Sequence, residues 1–333
     1  MKAFIRKPVI FAVMAGLQLM LTCVAWPGAG PQKAAPLPRP RYSLPSELLN
    51  RPFTFAGEKI PIQRKDVQNR ILAQVNLLLL DARSVLGRWL TEDLRSAWIY
   101  EEVLEKEGIP KEFVFLAPVL SRMKRTGDKG HQGGTWALGK ACASSQGLRM
   151  SEDDWHDDKM DTELSTRCFA IQIKQMRKAL RDRSWLMAVA AYMTSEKSVT
   201  DLKKAWDTNS FWNIPFSENP DDLIPRWIAL WILYTYQGTY HLNLKPSPPL
   251  TFDQVTGVVL AKDLPVAEIA KITGVPARVI LELNPKIKPS AGMFAAKSHG
   301  KRTVHVIAAP RGKGQLLVRG LQKEGFLASK SGK

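Results

Sequence analysis

The chain has 333 residues, 45% of them hydrophobic and 24% charged; these fractions are ordinary for a globular protein and exclude wholesale disorder. Its 22 glycines and 22 prolines are scattered, which excludes collagen-like and coiled-coil repeats, and three cysteines are too few for a disulfide scaffold. The 48 Lys and Arg exceed the 31 Asp and Glu by 17 charges, so the composition favours an anionic partner.

The first 25 residues have the pattern of an export signal. Lys2, Arg6 and Lys7 form a basic start, and residues 9–25 are apolar except for one glutamine. This apolar stretch of 17 residues is short for a membrane-spanning helix. We therefore predict a signal peptide at 1–25 and a periplasmic or otherwise exported protein. An uncleaved N-terminal anchor is the open alternative.

A proline-rich segment and then a series of helices follow the signal. Prolines recur through 26–55 and predict an extended linker. Val67, Ile71 and Val75 then fall on one helical face, and Asp161 is a predicted N-cap. The same reasoning, with Gly and Pro as breakers, predicts helices at 91–107, 161–181, 185–193, 199–206 and 223–236.

The end of the chain has a different pattern and a high positive charge. Beyond the prolines at 246–249 we predict, in order, a strand at 255–260, helices at 264–273 and 276–283, and a strand at 303–307. Residues 241–333 carry 15 Lys and Arg against 5 Asp and Glu. For an exported chain this charge favours an anionic wall polymer or a membrane surface over nucleic acid, and a solvated basic face is the alternative.

Several segments, in order and nearly without gaps, resemble those of the lytic transglycosylases of the membrane-bound D type. They are GEKIPI at 57–62, LAPVLS at 116–121, GTWALGK at 134–140, AYMTSEK at 191–197, FW at 211–212 and PR at 225–226. The resemblance implies a lysozyme-like, all-α domain at 56–240. Residues 250–312 resemble a divergent LysM module, and 313–333 remain as a basic tail. The fold class is mainly α.

Such transglycosylases cut the glycan of peptidoglycan with one glutamic acid, which acts first as acid and then as base while the sugar closes a 1,6-anhydro ring. In this chain Leu120 stands at the position of that glutamic acid. Ala137 replaces a glutamine, Met193 an asparagine and Ser195 a glycine of the family pattern. Because a general acid contributes about 10²–10⁴-fold to rate, we expect impaired or absent cleavage.

The resemblance also names candidate binding residues. For the transglycosylase-like domain, the predicted glycan contacts are Tyr192, Trp136 and Ser121. For the module, they are Asp263, Leu264, Asn284 and Pro285. Glu196 is a weak candidate for a relocated acid.

Other site types have little support in the sequence. No cofactor is indicated, and we expect no metal site because His131 and His156 lack a third ligand at metal spacing. In an oxidising compartment Cys142 and Cys168 can pair, or stay two buried thiols.

We interpret the chain as an exported, peptidoglycan-associated protein that binds murein or takes part in wall remodelling, with little or no cleaving activity. One alternative is an active lytic transglycosylase that uses Glu196. Another is a structural protein of the envelope, in which the groove that binds glycan in transglycosylases holds a protein partner instead. Nucleic acid is not an expected partner, and contact with a membrane is expected only through the N-terminal segment.

Overall fold

The computed structural model describes residues 42–121, 134–138, 150–216, 219–245 and 247–328. The predicted signal segment, most of the predicted linker, His131 and Cys142 lie outside these residues. Cys168 is buried and disulfide-bonded. In the described part of the chain, no helix is both long and apolar enough to cross a membrane.

Helices dominate the described residues up to 245. They are α1 (Ser46–Leu49), α2 (Lys65–Asn76), α3 (Arg83–Thr91), α4 (Ala97–Lys106), α5 (Leu116–Ser121), α6 (Thr162–Ala179), α7 (Trp185–Met193), α8 (Glu196–Ala205) and α9 (Asn219–Thr235). The prediction of a mainly α fold is confirmed. The helix expected at 91–107 begins only at Ala97, because a short 3₁₀ turn occupies Asp93–Ser96.

Side-chain caps fix where the central helices begin. Asp161 accepts a hydrogen bond from the backbone N–H of Leu164, as its predicted N-cap role requires, and Ser184 caps α7 in the same way. Every residue of α7 is buried, so this helix is the centre of the core.

A small hairpin lies between α1 and α2 and supports α7. It consists of β1 (Phe53–Phe55) and β2 (Glu58–Ile60), so the predicted linker at 26–55 ends earlier than expected. The Glu58 carboxylate accepts hydrogen bonds from the backbone N–H groups of Trp185 and Leu186 and from the Ser184 hydroxyl. Burial raises the pKa of Glu58, although these three hydrogen bonds act in the opposite direction.

The C-terminal module has the predicted β-α-α-β order and several further elements. Its antiparallel sheet pairs β3 (Phe252–Val259) with β8 (Val304–Pro310). The elements between them are β4 (Leu264–Pro265), α10 (Val266–Thr273), α11 (Ala277–Leu283), β5 (Met293–Phe294), β6 (Lys297–Ser298) and β7 (Lys301–Arg302). The helix predicted to begin at residue 264 begins at Val266, because Leu264 and Pro265 pair with β5.

The segment predicted as a basic tail is instead part of this module. Residues Gly314–Lys323 form α12, which buries Leu317 and Leu321. Gly320 lies so close to α10 that an added Cβ would stand 2.4 Å from the Ile272 side chain. Beyond α12, Leu260 and Leu327 form an antiparallel bridge. The charged residues of 313–328 therefore belong to a packed helix and to the segment after it, which pairs with Leu260.

Two seams join the module to the helical part within one compact unit. At the first, the Asp157 N–H donates to the Lys286 carbonyl at 2.8 Å, and the Lys288 N–H donates to the Trp155 carbonyl at 2.9 Å. The Trp155 side chain is buried in the hydrophobic core of the module. At the second seam, Trp98 of α4 contacts Leu250 and Phe252 at the start of the module.

Candidate functional site

Leu120, the residue predicted to stand in place of a transglycosylase acid, is part of the hydrophobic core. Leu120 lies at the end of α5 and has no exposed surface. Its neighbour Ser121 is exposed, and the Ser121 hydroxyl donates to the Pro118 carbonyl at 3.1 Å. An apolar side chain in this place can neither supply nor accept a proton, so this position offers packing rather than acid–base chemistry.

Trp136, a predicted glycan contact, is fully buried. Its indole N–H donates to the Thr166 hydroxyl at 2.8 Å. Its ring stacks on Phe169 with 4.1 Å between centroids and meets the edge of Tyr100 at 5.9 Å. Both the polar and the apolar parts of this side chain are therefore engaged inside the protein.

Tyr192 is also buried, with 3% of its surface exposed. Its hydroxyl donates to the Trp136 carbonyl at 2.7 Å, so the structure brings these two predicted contacts together. This bond ties α7 to the segment Gly134–Leu138. In the present conformation, neither aromatic ring offers a face to a sugar.

The turn between α7 and α8 contains Met193 and Ser195, two more of the positions predicted to depart from the transglycosylase pattern. Met193 is buried, and Ser195 serves as the N-cap of α8, since its hydroxyl accepts a hydrogen bond from the Ser198 N–H. Glu196 follows as an exposed residue in the first turn of α8. The serine that replaces glycine thus has a local structural use.

Two of the four predicted contacts of the module form hydrogen bonds with its own backbone. Asn284 is buried and exchanges hydrogen bonds with the backbone of Ala308, and its amide also donates to the Ile280 carbonyl. The Asp263 carboxylate accepts a hydrogen bond from the Ala296 N–H at 2.8 Å. Leu264 is fully buried, whereas Pro285 is partly exposed and borders a cleft described below.

A serine, a histidine and an aspartate lie in series in the loop before α6, at the first seam. The Ser151 hydroxyl oxygen is 2.9 Å from Nε2 of His156, and Nδ1 of His156 is 2.7 Å from Asp153. However, the Asp158 carboxylate accepts hydrogen bonds from both the N–H and the hydroxyl of Ser151. A carboxylate there would repel an oxyanion, so these residues hold the loop in shape rather than catalyse acyl transfer.

A cleft of about 960 Å³ lies at the second seam, between the helical part and the module. One wall is formed by α4 and the start of α6, and the other by the outer face of the β3–β8 sheet and the end of α11. Sequence reasoning missed this cleft, because its residues meet only through contacts between distant parts of the chain. The one sequence signal is a tryptophan, Trp98, on a helix with many charged residues.

The chain is similar over part of its length to curated proteins of known name. It is 24% identical over 200 residues to "Membrane-bound lytic murein transglycosylase D" from Escherichia coli strain K12, and equally so to the protein of that name from Escherichia coli O6:H1 strain CFT073. The match covers 58% of this chain but only 42% of the length of those relatives. No protein-family profile matches the chain. The similarity supports a distant, lytic transglycosylase-like relationship.

Proposed function

We propose that this protein associates with peptidoglycan in the cell envelope and holds glycan without cleaving it. The distant relationship to proteins named lytic murein transglycosylases supports a role at the wall. The observation that carries the absence of cleavage is the complete burial of Leu120, where the family pattern has its glutamic acid.

The burial of Trp136 and Tyr192 supports the absence of cleavage. These two predicted glycan contacts stabilise the core around α7 instead of facing outward. A domain that keeps the packing residues but lacks the polar side chains of the transglycosylase pattern is suited to binding other molecules, not to proton transfer.

Glu196 is the candidate for a relocated acid, and its surroundings do not favour that role. A displaced acid must come within about 3 Å of the glycosidic oxygen and must be protonated. Glu196 is exposed in the first turn of α8, and it does not line the cleft described above. An active enzyme that uses Glu196 therefore remains the second candidate.

The proposal includes an organisation of the chain. It consists of a signal peptide at 1–25, a linker that ends before α1, a transglycosylase-like domain up to about residue 240, and a LysM-like module from 250. We propose that α12 belongs to this module, since it packs against α10.

Incubation of the chain without residues 1–25 with purified sacculi tests the proposal. We expect the protein to sediment with the sacculi and expect no soluble 1,6-anhydro products by mass spectrometry. Anhydro products that disappear in Glu196→Gln would establish the second candidate. Failure to sediment, with no products, would overturn the association with peptidoglycan and direct the search to a protein partner.

A further inference from the structure

We infer that the cleft at the second seam is a binding site for a chain of uncharged, N-acetylated amino sugars. It does not include Leu120 or Asp263, and it shares Asn284, Pro285 and Lys286 with the second predicted contact loop of the module. The inference rests on the proposed association with peptidoglycan and gives it a location.

Trp98 presents a fixed aromatic surface to the cleft. It is 39% exposed, although large apolar side chains are mostly buried in the described parts of the chain. Its indole N–H donates to the Leu250 carbonyl at 2.9 Å, and its ring lies 5.6 Å from that of Phe252. Val306, 41% exposed, adds an apolar patch from the opposite wall. Sugar rings carry apolar C–H faces that pack on such immobilised aromatic rings.

The polar groups of the walls suit a ligand with many hydroxyl and amide groups and no net charge. The charged side chains that line the cleft comprise four basic and five acidic residues, a near balance in a chain whose net charge is +17. Many of them are already paired, as in Arg95–Glu282 at 2.7 Å and Lys106–Glu102 at 2.5 Å. Such pairs offer donors and acceptors side by side, whereas a polyanion would meet as many carboxylates as cations.

Hydrogen bonds and ion pairs between the two walls fix the shape of the cleft. Arg95 donates to the Pro248 carbonyl and pairs with Glu282, and the Leu250 N–H donates to the Arg95 carbonyl. Across the cleft, Lys286 lies 3.5 Å from Asp161 at the start of α6. Its volume of about 960 Å³ is at the upper end of the range of about 300–1,000 Å³ for small-molecule sites, so it has room for more than one sugar ring. A preformed site loses little free energy to ordering on binding.

The experiment measures binding of the linear tetramer of β-1,4-linked N-acetylglucosamine by calorimetry, alongside sedimentation with sacculi. We expect Trp98→Ala to weaken tetramer binding at least tenfold, which corresponds to about 1.4 kcal/mol. Trp206→Ala is the matched control, because Trp206 is 54% exposed and does not line the cleft. We expect no change in that control.

A second pair of variants separates binding from any loosening of the seam by Trp98→Ala. Val306→Lys fills the cleft from the sheet side and should abolish binding. Val304→Lys, two residues away on the same strand and outside the cleft, should leave it unchanged. Because the ligand is uncharged, we also expect the affinity to change little when the salt concentration is raised.

The outcomes distinguish the inference from the proposed function. If the wild type sediments with sacculi and binds the tetramer equally well after Trp98→Ala and Val306→Lys, the inferred site is wrong while the wall association stands. If the tetramer binds at this cleft but sacculi do not retain the protein, the site stands and the proposed function fails. If neither ligand binds, both are overturned, and a peptide becomes the next occupant to test.

Discussion

At the scale of single residues, substitution of Leu120 tests whether this position is a filled part of the core or still borders a substrate groove. We expect Leu120→Glu to lower the free energy of unfolding by about 3–5 kcal/mol, because an ionised carboxylate would be buried without a partner. Burial raises the pKa of such a carboxyl, so the loss should grow as the pH rises through that pKa. Urea denaturation at several pH values measures both effects.

The matched control for this variant is Leu120→Met, which keeps the volume and should change stability by less than about 1.5 kcal/mol. A Leu120→Glu protein as stable as the wild type would contradict the burial of this position. If that variant also released anhydro products from sacculi, the substrate groove would have survived around it.

We expect His305 to make the stability of the module depend on pH. It is 2% exposed, and one ring nitrogen lies 2.9 Å from the Ala295 carbonyl. Burial lowers its pKa, the bond to Ala295 acts against this, and the nearby charges of Lys286 and His156 lower it further. The unfolded chain therefore takes up this proton at a higher pH than the folded chain. Stability should fall as the pH drops below about 6.5, the ordinary pKa of histidine.

Thermal melts between pH 7.5 and 5 test this prediction. In His305→Gln, whose amide can still donate to the Ala295 carbonyl, the loss of melting temperature on acidification should be smaller than in the wild type. His299→Gln changes an exposed histidine of the same module and should retain the wild-type dependence. Equal dependence in all three proteins would contradict a role for His305.

At the scale of elements, Glu58 shows how the hairpin stabilises the central helix. Its carboxylate accepts hydrogen bonds from two backbone N–H groups at the start of α7, where a negative charge also interacts favourably with the helix dipole. Burial opposes this charge, as the raised pKa of Glu58 indicates, so the expected loss rests on the hydrogen bonds. Because glutamine offers an N–H group in place of one of the two acceptor oxygens, we expect Glu58→Gln to lower the free energy of unfolding by about 1–2 kcal/mol.

The control is Glu163→Gln, in the first turn of α6, where the carboxylate is 43% exposed and pairs only with Arg167 among the contacts described. That change should lower the free energy of unfolding by less than about 0.5 kcal/mol in denaturant titrations. Similar losses in both variants would show that Glu58 acts as an ordinary surface charge.

The sequence was sufficient to predict elements whose signal is local. The continuous apolar run at 185–193 predicted both ends of α7, and Asp161 predicted the start of α6. It was insufficient for α12, because Leu317 and Leu321 lie among glycines and basic residues, and only the close approach of Gly320 to Ile272 makes this helix part of a core. The resemblance likewise predicted Trp136 and Tyr192 as glycan contacts. Both are buried instead, and their burial depends on packing that no short motif encodes.

At the scale of the whole molecule, the loop before α6 joins the helical part to the module. Trp155 belongs to this loop, yet its ring packs against Phe294 and His305 of the module. Asp153, in the same loop, accepts a hydrogen bond from the Ser298 hydroxyl at 2.6 Å. The two parts should therefore unfold together in the wild type, in a single transition.

Trp155→Ala should break this cooperativity, because it removes a large buried side chain from one part and leaves a cavity in the other. We expect a loss of about 3–5 kcal/mol, two separate transitions in denaturant, and faster proteolysis in the connecting segment around residues 245–251. Trp206→Ala, which removes an exposed tryptophan, should retain one transition. A single transition in Trp155→Ala would mean that the second seam, at Arg95 and Leu250, suffices to couple the two parts. Since both parts line the inferred sugar cleft, Trp155→Ala should also weaken tetramer binding although Trp155 does not line that cleft.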